Sequence, residues 1–253
     1  MRYGVCQPPE KAAALGGVGW DFVEGSVQPL LRGQSADYTP IARPALPLPA
    51  ANGLVPASIP LVGPAVDRAV IQAYMKNVIE RAADVGIDTL VFGSGGARKV
   101  PDGFDRAHAE EQIRTFLREI APVAQANNVT IVIEPLNKGE TNIINSVGEA
   151  MTYVKAVDHP AVQCLVDSYH FWLENEPLSN LEAAMPWIKH VHVADTEGRV
   201  APGMSGKNDY KPFFAVLKKG GYGTRISVEC SGWDFDKHAK PVLSFLREQW
   251  DAA

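Results

Sequence analysis

The sequence lacks the features that mark several large classes of protein. Its three cysteines, Cys6, Cys164 and Cys230, are an odd number without metal-site spacing, which indicates buried thiols in a reducing cytosol. No apolar run reaches the roughly 18 residues of a membrane span, and the first residues carry early charges and prolines rather than a signal-peptide core. Lysine and arginine number 24 against 29 acidic residues and form no basic stripe. We therefore expect a cytoplasmic protein that binds neither membrane nor nucleic acid.

A repeated unit runs through the chain: a short apolar or β-branched segment, followed in most cases by a helical pattern. Eight such segments occur, at 3–7, 20–25, 45–52, 88–94, 130–135, 162–167, 190–195 and 225–230. Apolar residues at helical spacing are clearest in 104–128. Strands that alternate with helices predict a parallel sheet. Eight units predict closure into a (β/α)8 TIM barrel, an α/β fold whose typical length is about 250 residues.

One stretch departs from this alternation. Residues 38–64 are Pro-rich and have little helical pattern, so we interpret them as the third strand set in long loops, with the second helix short or missing. No linker or low-complexity tract divides the chain, which predicts one domain over residues 1–253. A doubly wound open sheet is the alternative. The segment QPPEKAAALGG after the first strand is a poor match to the phosphate loop of that fold.

Ionisable residues stand at or near the ends of the last four predicted strands: Glu134, Asp167, His192 and Glu229. In a TIM barrel these ends carry the chemistry, and a carboxylate after an apolar strand is costly unless something pairs with it. Four such groups at equivalent heights predict one shared partner. Three carboxylates and one imidazole suit a divalent ion, Mn²⁺ first, with Mg²⁺, Co²⁺ or Zn²⁺ as alternatives. A purely structural ring of ion pairs is the competing interpretation.

Two histidines, His190 and His192, lie two residues apart in the seventh predicted strand and therefore face the same side. If His192 reaches a metal ion at the top of the barrel, His190 lies one layer lower inside it. We interpret His190 as a core histidine with a hydrogen-bonding role.

Four motifs carry a family resemblance: EPLNKGETN (134–142), VDSYH (166–170), HVHVAD (190–195) and SVEC (227–230). With them the chain resembles the xylose isomerase-like TIM-barrel superfamily of sugar isomerases and epimerases (AP endonuclease family 2). The motifs are most similar to those of the D-tagatose 3-epimerase, hydroxypyruvate isomerase and inosose isomerase types. The resemblance implies that Glu134 and Glu229 are metal-bound glutamates that act as acid and base. It also implies that Asp167 and His192 are the other two ligands.

Five further residues are candidates for substrate binding. The resemblance implies that His170 holds a substrate oxygen, that Glu140 binds near the substrate, and that Arg199 contacts it. Arg98 follows the fourth strand in a Gly-rich loop and can grip a hydroxyl or phosphate group, or else is a surface arginine on a flexible loop. Asn52 ends the third strand and can bind substrate, or else serves as a turn residue before Gly53.

The leading functional hypothesis is a metal-dependent isomerase or epimerase of a keto sugar, a small hydroxyketone or an inosose, acting through a metal-stabilised enediolate. A lyase or dehydratase on a keto sugar, inosose or 3-keto-glycoside is the alternative, since proton abstraction beside a carbonyl also starts elimination. Phosphodiester cleavage would need a three-zinc cluster with histidines on the third and fourth strands, which have none. A non-catalytic sugar-binding barrel would not need both glutamates. The oligomeric state, homodimer or homotetramer, stays open.

Overall fold

The structure is a computed structural model that describes residues 1–253. Its eight strands form a closed parallel barrel in chain order: β1 Arg2–Cys6, β2 Phe22–Ser26, β3 Ala50–Asn52, β4 Thr89–Phe92, β5 Thr130–Ile133, β6 Val162–Asp167, β7 Ile188–Val193 and β8 Arg225–Val228. β8 closes the barrel by pairing with β1. The predicted TIM barrel is confirmed, and the open doubly wound sheet is excluded.

Ten α-helices surround the barrel: α1 Ala12–Val18, α2 Val27–Leu31, α3 Arg68–Asp84, α4 Gly95–Arg98, α5 Arg106–Ala126, α6 Val147–Val157, α7 Ser168–Leu173, α8 Leu178–Ala184, α9 Lys211–Lys219 and α10 Phe235–Asp251. Short 3₁₀ turns occupy Pro9–Lys11, Met185–Trp187 and Glu197–Arg199. The long helices bury one apolar stripe against the strands, as the helical spacing in 104–128 predicts for α5. No helix has both the length and the apolar character needed to cross a membrane.

The third repeat is the irregular one, as expected. β3 has three residues, α2 has five, and no helix forms between Arg32 and Pro49. Proline lacks a backbone N–H and breaks helices, which explains why a segment with prolines at 40, 44, 47 and 49 stays irregular. The predicted third strand is therefore correct in place but shorter than 45–52.

Strand alternation divides the barrel interior into layers. Val91, Val132 and Leu165 form a small apolar cluster inside the barrel. Leu165 of β6 lies beside His190 of β7 in register, so this histidine belongs to the same deep layer. Two residues further along β7, the side chain of His192 lies nearer the carboxyl end of the barrel. The expected depths of the two histidines are confirmed.

The close approach of β1 and β2 yields a test of the barrel packing. A Cβ atom added at Gly4 would overlap the fully buried ring of Phe22 on the neighbouring strand. Gly4→Ala should therefore lower the free energy of unfolding by about 1–3 kcal/mol, measured by urea denaturation. Gly17→Ala is the matched control, because it lies in α1 with open space around it and should raise stability slightly. Equal stability of the two variants would contradict this account of the β1–β2 contact.

Candidate metal centre

The four predicted ligands meet at the carboxyl end of the barrel. Asp167 ends β6, His192 lies in β7, and Glu134 and Glu229 directly follow β5 and β8. One ligand atom from each side chain lies within 4.8 Å of the others. His192 Nδ1 is 3.0 Å from Glu134 Oε1 and 3.4 Å from Glu229 Oε2. Such separations suit donor atoms that share one ion about 2.0–2.2 Å from each of them.

The carboxylates of Glu134, Asp167 and Glu229 lie close together at this end of the barrel. Burial, followed by the charge of Glu229, raises the pKa of Glu134. Burial also raises the pKa of Asp167, to about 7, although Arg199 opposes the rise. At Glu229 the rise expected from burial is outweighed by His192 and Arg199, which lower its pKa to about 2. Three carboxyl groups that repel one another in a buried site would be stabilised by a divalent cation, so the donor set fits such an ion.

A fourth carboxylate, which the sequence analysis did not single out, lies buried below the cluster. Glu24 of β2 is 1% exposed, and its Oε1 is 2.9 Å from His192 Nε2. Its Oε2 is 2.7 Å from His190 Nε2 and accepts a hydrogen bond from Ser227 Oγ at 2.6 Å. The sequence signal was present: Glu24 is the one charged residue in the strand FVEGS. His190 is a hydrogen-bonded core histidine, as expected.

Burial alone would raise the pKa of Glu24, but His192 and His190 outweigh it and hold this pKa well below the ordinary value. In return, Glu24 and then Glu229 outweigh the effect of burial on His192 and raise its pKa well above the ordinary value. The buried charges therefore alternate in sign from the interior of the barrel to its mouth.

Arg199 covers the acidic cluster. Its Nη2 donates to Glu229 Oε2 at 2.6 Å and to Asp167 Oδ2 at 3.3 Å, and its guanidinium group lies 4.7 Å from the ring centre of Tyr169. Its Nη1 is 3.7 Å from Glu140 Oε1. The backbone φ of Arg199 is 50°, an uncommon value for a non-glycine residue. The fold therefore holds this arginine where its charge offsets that of the carboxylates.

A buried aspartate fixes the loop that continues from Arg199. The carboxylate of Asp195 accepts hydrogen bonds from the backbone N–H groups of Gly203 and Ser205, at 3.1 and 2.9 Å. It also accepts bonds from the Ser205 hydroxyl at 2.7 Å and the Tyr210 hydroxyl at 2.9 Å. These four bonds tie the loop to the end of β7.

His170 presents an unused donor at the site. The backbone N–H of Asn137 donates to His170 Nδ1 at 3.1 Å, so the proton of the neutral ring lies on Nε2. Burial, followed by the charge of Arg199, lowers the pKa of His170 to about 3 and keeps the ring neutral. Nε2 is buried without a hydrogen-bond partner and lies 3.6 Å from Asp167 Oδ2. A neutral N–H donor therefore stands beside the acidic cluster.

The remaining candidates divide into two groups. Asn52 Nδ2 donates to Glu229 Oε1 at 2.9 Å, and Glu140 Oε1 accepts from Asn137 Nδ2 at 2.9 Å. Asn52 and Glu140 therefore belong to the site.

The expected substrate contact of Arg98 needs correction. Its side chain is fully buried and donates to the backbone carbonyls of Phe92 and Glu134, each at 2.7 Å. Because its guanidinium group is buried beneath the site and bonds to backbone carbonyls, Arg98 is neither a substrate contact nor a surface arginine.

A cleft of about 360 Å³ opens beside the cluster, at the carboxyl ends of β1, β2 and β3. Glu24 and Asn52 form its inner wall, next to His192 and Glu229, and Ile41 of the Pro-rich loop contributes to its side. The lining contains no lysine or arginine. This volume suits a small molecule, and a lining with two carboxylates, Glu10 and Glu24, and no lysine or arginine disfavours an anionic one.

The sequence pattern of the family described as "Xylose isomerase-like TIM barrel" matches residues 19–249. A Mus musculus protein provisionally named a hydroxypyruvate isomerase is 28% identical over 165 residues, which are 61% of this chain and 58% of that protein. The 3-dehydro-D-guloside 4-epimerase of Escherichia coli K12 is 33% identical over 113 residues, 44% of this chain and 42% of that protein. The chain thus matches about half the length of these relatives.

The fold has close counterparts among solved structures. A D-psicose 3-epimerase from Clostridium cellulolyticum, with D-tagatose, superposes with a TM-score of 0.86 and covers 99% of each chain at 19% identity. At that identity the likeness concerns the fold.

The ligand geometry predicts that removing one ligand abolishes tight metal binding. Asp167→Ala and His192→Ala should each show a strong loss of bound Mn²⁺ by elemental analysis after dialysis, because fewer donors and a changed charge remain. Asp102→Ala and His108→Ala are matched controls, since both residues are exposed and distant in sequence from the four ligands, and they should retain the ion. Full occupancy in either ligand variant would rule out this site.

Proposed function

Because the chain belongs to the xylose isomerase-like TIM-barrel family, we propose that it is a divalent-metal-dependent isomerase or epimerase of a keto sugar, a small hydroxyketone or an inosose. One observation carries the proposal: Glu134 and Glu229 reach the same imidazole nitrogen, His192 Nδ1, from strands on two sides of it. A metal site alone does not require two glutamates in this arrangement. The isomerase and epimerase names of the relatives support the same reaction class.

The chemistry requires a base and an acid around one carbon atom. Moving a carbonyl, or inverting the carbon beside it, begins with the loss of a weakly acidic C–H proton. One of the two carboxylates, Glu134 or Glu229, takes that proton, and the other returns a proton to the opposite face or to the adjacent carbon. A divalent ion held by these glutamates, Asp167 and His192 would polarise the substrate carbonyl and stabilise the negative charge that develops.

Other side chains orient the substrate. The N–H of His170 Nε2 has no partner in the protein and can donate to a hydroxyl or carbonyl oxygen next to the reacting carbon. Arg199 and Glu140 border the same space, and Asn52 links Glu229 to the cleft. The cleft without basic residues would take the rest of an uncharged carbohydrate.

The choice among related reactions rests on the relatives. A lyase or dehydratase would use the same ligands and the same first step, but the relatives described above are named isomerases or epimerases. We therefore rank elimination second. Mn²⁺ is the first ion to test, because three of the four ligands are carboxylates.

The direct test is a panel of ketohexoses, ketopentoses, inososes and 3-keto-glycosides assayed with Mn²⁺ in D₂O. Product should carry deuterium at the reacting carbon, because the proton is exchanged through a carboxylate. Glu134→Gln and Glu229→Gln should each abolish turnover at saturating Mn²⁺, since the amide cannot accept the proton. Glu111→Gln, on the exposed side of α5, is the control and should retain full activity. Elimination products throughout the panel would favour the lyase, and an active double variant would refute the acid–base assignment.

Substitution of His170 distinguishes a role in substrate binding from a role in metal binding. Removing a hydrogen bond to a polarised substrate oxygen costs about 1.5–3 kcal/mol. His170→Ala should therefore lower kcat/KM by roughly 10- to 150-fold while the bound metal is retained. The exposed His108→Ala serves as control. Wild-type kinetics in a folded His170→Ala protein would show that His170 only packs in the turn after β6.

A further inference from the structure

We propose that Glu24 is a positioning residue: it fixes the ring of His192 so that Nδ1 presents a lone pair to the metal ion. This inference rests on the proposed function and adds a member of the site that acts through His192 rather than by contact with the ion. The observation that carries it is the pair of contacts on opposite sides of one imidazole ring. Nε2 is 2.9 Å from Glu24 Oε1, and Nδ1 faces Glu134 and Glu229.

The hydrogen-bond chemistry determines where the proton lies. A carboxylate only accepts hydrogen bonds, so the nitrogen that faces Glu24 must carry hydrogen. When a metal ion is bound, the ring is neutral and has one N–H, which leaves Nδ1 free to coordinate. Such outer carboxylates fix the orientation of a ligating histidine and raise its basicity.

The surroundings of Glu24 hold the carboxylate in place. His190 Nε2 lies 2.7 Å from Oε2, and the Ser227 hydroxyl donates to the same oxygen at 2.6 Å. His190 Nδ1 is buried without a partner, as expected for a ring whose single proton points to Glu24. Both oxygens are thus engaged, and rotating the carboxylate away would break three buried hydrogen bonds.

A competing role for Glu24 is direct coordination of a second ion. Ligand atoms of Cys6, Glu24 and His192 lie within 4.8 Å of one another. The contacts oppose this role, because Glu24 Oε1 is already hydrogen-bonded to His192 Nε2 and Glu24 Oε2 to His190 Nε2. Burial and then the charge of Glu24 raise the pKa of the Cys6 thiol, which makes this sulfur a poor ligand. The structure therefore favours positioning over coordination.

The test measures metal affinity on the full chain, without reference to turnover. Metal-free wild type, Glu24→Gln and Glu111→Gln are titrated with Mn²⁺ by calorimetry, and the melting temperature of each metal-free protein is recorded. Glu24→Gln should raise the Kd about 10- to 100-fold, the usual effect of losing an outer-shell partner. Glu111→Gln is the matched control, because it makes the same substitution at an exposed glutamate of α5, outside the site. Its Kd should stay close to that of the wild type.

A second measurement needs no variant. In wild-type protein loaded with Zn²⁺ and labelled with ¹⁵N-histidine, NMR should show the proton of His192 on Nε2. A proton on Nδ1 would overturn the proposal even if Glu24→Gln did not fold.

The outcomes are distinguishable. Wild-type protein that binds no divalent ion would overturn both this proposal and the proposed function. One ion per wild-type chain with an unchanged Kd in a folded Glu24→Gln protein would overturn this proposal alone, even if its melting temperature fell. A second ion that is lost in both Glu24→Gln and Cys6→Ser would make Glu24 a ligand instead.

Discussion

The structure at the mouth of the barrel depends on mutual repulsion among buried carboxylates. Glu134, Asp167 and Glu229 converge from three strands, the first two buried and Glu229 partly exposed, and Glu24 adds a fourth negative charge below. Such a cluster is tolerated only if positive charge is interleaved with it. His192 lies between the lower carboxylate and the upper ones, and Arg199 covers the top. A divalent ion is the remaining charge that this arrangement is suited to hold.

The barrel makes this concentration of charge possible because its strands end at one level. The functional groups are supplied by strand ends and the first residues after them, and the apolar layers below keep their positions fixed. Arg98 supports the same end of the barrel from beneath, by binding the carbonyl of Glu134. Asp195 does so from the loop side, by holding the segment that follows Arg199. Rigid support of this kind matters because acid–base chemistry depends on the distance between groups.

The cleft next to the cluster and the four proposed ligands come from different parts of the barrel. The cleft is walled by the first three strands and the Pro-rich loop, whereas the ligands come from the last four strands. The residues that the proposed function assigns to substrate binding come from both halves, since Asn52 ends β3 whereas His170 and Arg199 follow β6 and β7. A barrel of this kind can change its βα loops while the strand ends that carry the chemistry stay in place.

The sequence by itself determined the alternation of strands and helices, the closed barrel and the convergence of Glu134, Asp167, His192 and Glu229. These features follow from hydrophobic periodicity and from the cost of placing a charge at an apolar strand end, both of which are local properties. Only the tertiary structure decided the roles of Arg98 and Glu24. The glycines before Arg98 predicted a flexible loop, yet Arg98 ends the short helix α4, and its guanidinium group bonds to carbonyls 6 and 36 residues away in the chain. Glu24 meets His192 across 168 residues, and such a pairing has no local signature, because it arises when the barrel closes.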